Sequence, residues 1–102
     1  MVIKLTSEKF CIETAARKRH ENAIRQFFKA SAGEENAEEL ETQIEGLARF
    51  LEQVDFQWLR SHHKELDKGG QADIELHIDF ENHQYQLHFN NQQVKAPLKD
   101  QR

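Results

Sequence analysis

The residues best suited to chemistry are histidines and carboxylates in the C-terminal third of the sequence. Glu75, His77 and Asp79 stand at alternate positions, and His88 follows in the next apolar-polar alternation. Alternate residues of a strand share one face, and a hairpin with a two-residue loop at 82–83 would place His77 directly opposite His88. Imidazole and carboxylate groups bind zinc and similar ions, so a metal site formed by these four residues is one alternative hypothesis for the function.

A second group of residues is basic and could contact phosphates. Residues 1–30 contain seven Lys/Arg and three Asp/Glu. Arg17, Lys18, Arg25 and Lys29 fall within the longest helical pattern of that segment, which makes nucleic-acid binding another alternative. The net charge of the whole chain is −4, which opposes a polyanion, so we expect nucleic acid to be an unfavoured partner.

The favoured functional hypothesis concerns an acidic helix. Residues 31–68 contain ten Asp/Glu against four Lys/Arg, and glutamates recur there at spacings of three, four and seven. Spacings of this kind place side chains along one side of a helix, where they could steer a basic protein partner. Two phenylalanines off the apolar stripe of this segment suggest a covered surface and predict a homodimer. The residues expected to contact a partner are Glu38, Glu41, Glu45, Glu52, Phe50 and Phe56.

Other classes of function find little support in the composition. No serine or cysteine has a spacing that identifies a nucleophile, and Cys11 is the single cysteine, so we expect no enzyme, no cofactor and no intrachain disulfide. No apolar run approaches the roughly 20 residues that span a bilayer. The sequence therefore predicts a small cytoplasmic, non-enzymatic interaction module that regulates or inhibits a protein of unknown identity.

The elements that must position these residues follow from a change of hydrophobic period at Gly69-Gly70. Apolar residues before this pair recur at helical spacing, from Leu40 to Trp58, and those after it alternate. We expect Asp55 to break the helical pattern and to cap a third helix. The predicted helices span about 7–30, 36–54 and 55–68, the predicted strands span about 72–81, 84–90 and 92–96, and 97–102 forms a flexible tail.

The predicted fold is a single α+β domain. It contains an N-terminal helical hairpin, a kinked or third helix, and a three-stranded antiparallel β-meander. Residues 2–5 either add an edge strand or cover the core, and Thr6 or Ser7 caps the first helix.

The strand registers follow from pairing apolar residues with each other. In the first hairpin we expect Ile78 to face Leu87. In the second, a turn at Asn90-Asn91 sets Leu87 opposite Val94.

Overall fold

The computed structural model describes residues 1–8, 12–29, 36–62 and 71–99, and all structural statements refer to these residues. Several sequence-based predictions lie outside them. These are the position of Cys11, the turn between the first two helices, the end of the third helix, the break at Gly69-Gly70 and the last three residues of the tail.

The architecture is α+β, as predicted, with the helices grouped between the first strand and the other three. The elements are β1 (Val2–Glu8), α1 (Ile12–Lys29), α2 (Asn36–Gln53), α3 (Phe56–His62), β2 (Gln71–Asp79), β3 (Gln84–Phe89) and β4 (Gln92–Ala96). The strands form one antiparallel sheet in the order β1-β2-β3-β4. The predicted meander therefore gains a fourth strand from the N-terminal segment. No helix among the described residues is both long enough and apolar enough to cross a membrane.

The first strand is longer than the sequence pattern indicated. It pairs with β2 along its whole length, from Val2 opposite His77 to Glu8 opposite Gln71. The prediction of a helix beginning at Ser7, capped by Thr6 or Ser7, is wrong. The backbone of these residues pairs with β2, so they belong to a strand. Ile3 and Leu5 alternate into the core, which is the half-buried pattern of an edge strand.

The predicted register of the first hairpin is wrong by two residues. Ile78 faces Tyr85 rather than Leu87, and Leu76 faces Leu87. A slip of two positions keeps each side chain on its face of the sheet, so the apolar residues still share one side.

The cause of this shift is a turn of four residues, Phe80–His83, in place of the predicted two. The carboxylate of Asp79 accepts hydrogen bonds from the backbone N–H groups of Glu81 and Asn82, and His83 adopts a positive φ of 52°. Local hydrogen bonding therefore ends β2 two residues early.

The second hairpin has the predicted register. Leu87 faces Val94 and Tyr85 faces Ala96 across a two-residue turn. Asn90 and Asn91 both have positive φ, 49° and 62°, as a type I′ turn requires.

The core lies between the helices and one face of the sheet, and it contains the two rings expected on the surface. Phe50 has no exposed area and Phe56 is 8% exposed. Their centroids are 5.2 Å apart at 89°, and Phe50 also packs at 5.7 Å on Tyr85. Their predicted role at a partner or dimer surface is wrong, because both rings pack in the core, Phe50 against Tyr85 and Phe56 against Phe50. The homodimer stays a prediction without this support.

The break between α2 and α3 falls at Val54-Asp55, close to the predicted kink. The Asp55 carboxylate accepts a hydrogen bond from the Trp58 N–H at 3.0 Å, so Asp55 caps α3 as predicted. Its own N–H donates to the Pro97 carbonyl at 2.9 Å, and Val54 forms a bridge with Leu98. The prediction of a loose tail is therefore wrong for Pro97 and Leu98, which are tied to this turn.

Candidate metal centre

The helices cover one face of the sheet, and the other face carries polar side chains. On β2 and β3 the buried residues alternate with Glu75, His77, Gln86 and His88, all of which are partly exposed. These four side chains occupy the middle of the sheet, because β1 and β4 flank them on either side. The rigid hairpin thus holds two imidazoles and a carboxylate on a surface that solvent can reach.

Glu75, His77 and His88 form the one group with metal-ligand chemistry among the described residues. Their potential ligand atoms all lie within 4.8 Å of one another. The His77 Nε2 atom is 3.3 Å from Glu75 Oε1, and the rings of His77 and His88 stack with centroids 3.6 Å apart at 15°. The sequence placed the two histidines together, and the structure brings them into contact by a different register.

The contact between the histidines is diagonal. In the β2–β3 ladder His88 faces Glu75, while His77 faces Gln86. Diagonal neighbours on one face of an antiparallel pair are within reach of long side chains. The predicted direct pairing of His77 with His88 is therefore wrong, although the shift of two residues preserves their proximity.

The size of the cluster suits one small ion after a modest contraction. Zinc binds imidazole nitrogen and carboxylate oxygen at about 2.0–2.2 Å, so two ligands of one ion lie at most about 4.4 Å apart. The nitrogen lone pairs lie in the planes of the two stacked rings, so at least one ring must rotate out of the stack before both nitrogen atoms can bind the same ion. His77 is 32% exposed and Glu75 46% exposed at the side chain, which leaves both free to make that adjustment.

Neighbouring side chains can orient the ligands. The Gln86 amide oxygen lies 3.3 Å from His88 Nε2, and Lys4 faces Glu75 across the β1–β2 pair. Hydrogen-bond partners of ligating residues fix the orientation of the imidazole ring and tune affinity. Three ligands on one side leave a further coordination position open to water or to another molecule.

Asp79, the fourth residue of the predicted site, lies outside the cluster. Its carboxylate accepts hydrogen bonds from the side chain of Asn82 at 2.7 Å and from the N–H groups of Asn82 and Glu81 at 3.2 and 3.1 Å. The bonds from Asn82, first through its side chain and then through its backbone, lower the pKa of Asp79. Asp79 therefore stabilises the turn that sets the register of the two histidines.

The glutamates of the predicted partner surface are all exposed on α2. They are Glu38, Glu41, Glu45 and Glu52. Glu45 forms an ion pair of 2.6 Å with Arg49, whose guanidinium lies 5.9 Å from the centroid of the Phe80 ring. The two phenylalanines assigned to the same surface are in the core, so of the six predicted contact residues only the four glutamates are exposed.

The basic residues of the nucleic-acid alternative lie on α1. All four are exposed, and Arg17 forms an ion pair of 3.0 Å with Glu13. Sequence reasoning omitted Lys4, which β1 brings next to α1. The alternation of Ile3 and Leu5 around Lys4 was the available signal that it faces away from the core.

Fold and cluster together define a small α+β protein whose four-stranded sheet has helices on one face and a histidine–carboxylate group on the other. A protein-family model matches residues 1–88, and the chain belongs to that family. The matched range includes all three residues of the cluster and the three helices α1, α2 and α3, and the match assigns family membership alone. No curated protein and no solved structure matches the chain.

Proposed function

We propose that this protein is a non-enzymatic binding protein that holds one divalent transition-metal ion on the open face of its sheet. The observation that carries the proposal is the convergence of potential ligand atoms from Glu75, His77 and His88 to within 4.8 Å. Two strands of one antiparallel sheet present these groups, so little backbone ordering is required when an ion binds.

The donor set selects the class of ion. Two imidazole nitrogens and one carboxylate oxygen suit zinc, copper, nickel or iron, whereas calcium and magnesium favour sites made entirely of oxygen. The exposed position above the cluster suits an ion that retains water or accepts a ligand from another molecule.

Calorimetric titration of untagged, metal-free protein with zinc tests the proposal. We expect one ion per chain and loss of measurable binding in His77→Asn and His88→Asn. His83→Asn is the matched control, because His83 is an exposed turn residue outside the cluster whose positive φ asparagine tolerates. Imidazole binds metal only as the neutral form, so affinity should fall in acid and binding should release protons.

Thermal unfolding gives an independent measurement. An ion that binds only the folded chain adds about 2.7 kcal/mol of stability at a free concentration 100 times its Kd. We expect this increase in the wild type and in His83→Asn, and not in His88→Asn. Equal stabilisation of His88→Asn and the wild type would show that zinc binds elsewhere and would overturn the proposal.

A further inference from the structure

A groove lies between β1 and α1, and Lys4, one of its lining residues, faces Glu75 of the histidine cluster across the β1–β2 pair. Its volume is about 340 Å³. The groove is lined by Lys4, Thr6, Thr14, Ala15, Lys18, Arg19 and Asn22. All three charged residues in this lining are cations, and Asn22 adds an amide donor, whereas the Thr6 hydroxyl already donates a hydrogen bond to Asp73 at 3.5 Å. The lining chemistry therefore suits an anion with several acceptor oxygens.

None of these cations is ion-paired within the described residues, although Lys4 lies opposite Glu75 in the β1–β2 pair. Arg19 donates a hydrogen bond of 2.7 Å to the side-chain oxygen of Gln43, a neutral partner that positions the guanidinium and leaves its charge intact. Lys4 and Lys18 form no ion pair with any residue of the described segments. The lining therefore has a local excess of positive charge although the whole chain is negative, and Asp73 and Glu75 of β2 border it next to Thr6 and Lys4.

The cationic surface continues along α1 beyond the groove. Lys18, Arg25 and Lys29 are exposed and follow each other at seven and four residues, which places them on one side of the helix. At 1.5 Å per residue the row spans about 16 Å. Phe28, beside the end of this row, is 80% exposed and contacts Phe27 edge to face. A row of this length exceeds what a single phosphate group requires.

We propose that the groove and this row bind the phosphates of a single-stranded nucleic acid, with Phe28 stacking on a base. Proteins that bind single strands combine a positive groove with exposed aromatic rings, because every base has a stacking face. A duplex would offer its phosphates to the same cations but would leave Phe28 without an unpaired base. The sequence-based expectation against nucleic acid used the total charge, whereas the exposed side of α1 from Lys18 to Lys29 carries three cations and one carboxylate, Glu21.

Fluorescence anisotropy with a labelled 12-nucleotide single strand, measured in EDTA at several salt concentrations, tests this inference independently of metal binding. We expect Lys18→Gln/Arg25→Gln to reduce the slope of log K against log salt by about 1.4, since each phosphate contact on a single strand contributes about 0.7. Arg17→Gln/Arg49→Gln is the matched control, because it removes the same charge from two residues that are already ion-paired. The control should retain the wild-type slope.

The aromatic contribution has its own variant. We expect Phe28→Ala to weaken binding about 5- to 140-fold without changing the salt slope, the range that corresponds to stacking of one base. Absence of binding at about 50 mM salt, or equal slopes for the two double variants, would overturn the inference. So would tighter binding of a duplex, or binding of anionic phospholipid vesicles with no binding of the single strand.

Discussion

The imidazole rings of His77 and His88 lie parallel with centroids 3.6 Å apart, although the two residues are not opposite each other in the sheet. Their contact depends on the β2–β3 register, which in turn depends on the four-residue turn that Asp79 stabilises. The residues that hold the turn and the residues that would hold the ion are therefore distinct, and substitutions can separate the two roles.

Two isosteric substitutions distinguish these roles. We expect Glu75→Gln to weaken zinc binding at least about tenfold, because it replaces a carboxylate in the cluster with a poorer ligand. Asp79→Asn removes no ligand, so it should weaken zinc binding less than Glu75→Gln does, and its main effect should be to destabilise the hairpin. Calorimetry and thermal unfolding measure the two effects on the same samples. A larger loss of zinc affinity in Asp79→Asn than in Glu75→Gln would contradict this assignment.

Phe50 and Phe28 should respond very differently to truncation. Phe50 is fully buried against Phe56 and Tyr85, so Phe50→Ala should cost about 3–5 kcal/mol of unfolding free energy. Phe28→Ala should stay within about 0.5 kcal/mol of the wild type, since Phe28 is exposed. Urea unfolding measures both variants. A small effect of Phe50→Ala would argue against the packing of α2 on the sheet.

The burial of the Tyr85 hydroxyl leads us to expect a loss of stability in alkaline solution. Burial raises the pKa of the Tyr85 hydroxyl, with the charge of Arg49 acting in the opposite direction, and the hydroxyl donates a hydrogen bond to Gln53 at 2.9 Å. Its contribution to stability is therefore complete below the unfolded pKa, about 10, and is lost as the pH rises through the higher folded value. Tyr85→Phe should cost about 1 kcal/mol at neutral pH, and its difference from the wild type should shrink above about pH 10.

The titration can be followed directly, because Tyr85 is the only tyrosine of the chain. Phenolate absorbance reports this residue alone in the folded and unfolded states. A folded midpoint equal to or below the unfolded one would show that the hydroxyl is not desolvated.

The acidic surface of α2 remains a prediction for a basic protein partner. Glu41→Lys/Glu45→Lys should reduce recovery of such a partner from a lysate at low salt, because exposed charges steer association. The free energy of unfolding should change by less than about 1 kcal/mol, since the ion pair of Glu45 with Arg49 is on the surface. Glu21→Lys/Glu81→Lys makes the same charge change at exposed positions elsewhere. Equal recovery by the two double variants would assign α2 no specific role.

The periodicity of the sequence was enough to predict the helices, the meander and the second hairpin. The alternation of apolar and polar residues defines the buried face of a strand, whichever strand it pairs with. Asparagine tolerates positive φ, so Asn90-Asn91 indicates a tight turn. The cap at Asp55 could also be predicted from the sequence, because a capping carboxylate binds a backbone N–H within three residues of its own position. These features arise from interactions between residues that are close in the sequence.

Long-range interactions decided the rest. Val2–Glu8 became a full strand because β2 offered it a partner, and Phe50 and Phe56 became buried because tertiary packing places them in the core with Tyr85. The Glu75–His77–His88 cluster depends on a register that apolar pairing leaves open to a two-residue slip, since both registers keep the same face. The sequence by itself therefore determined which side chains share a face, and only the tertiary structure decided which of them are in contact.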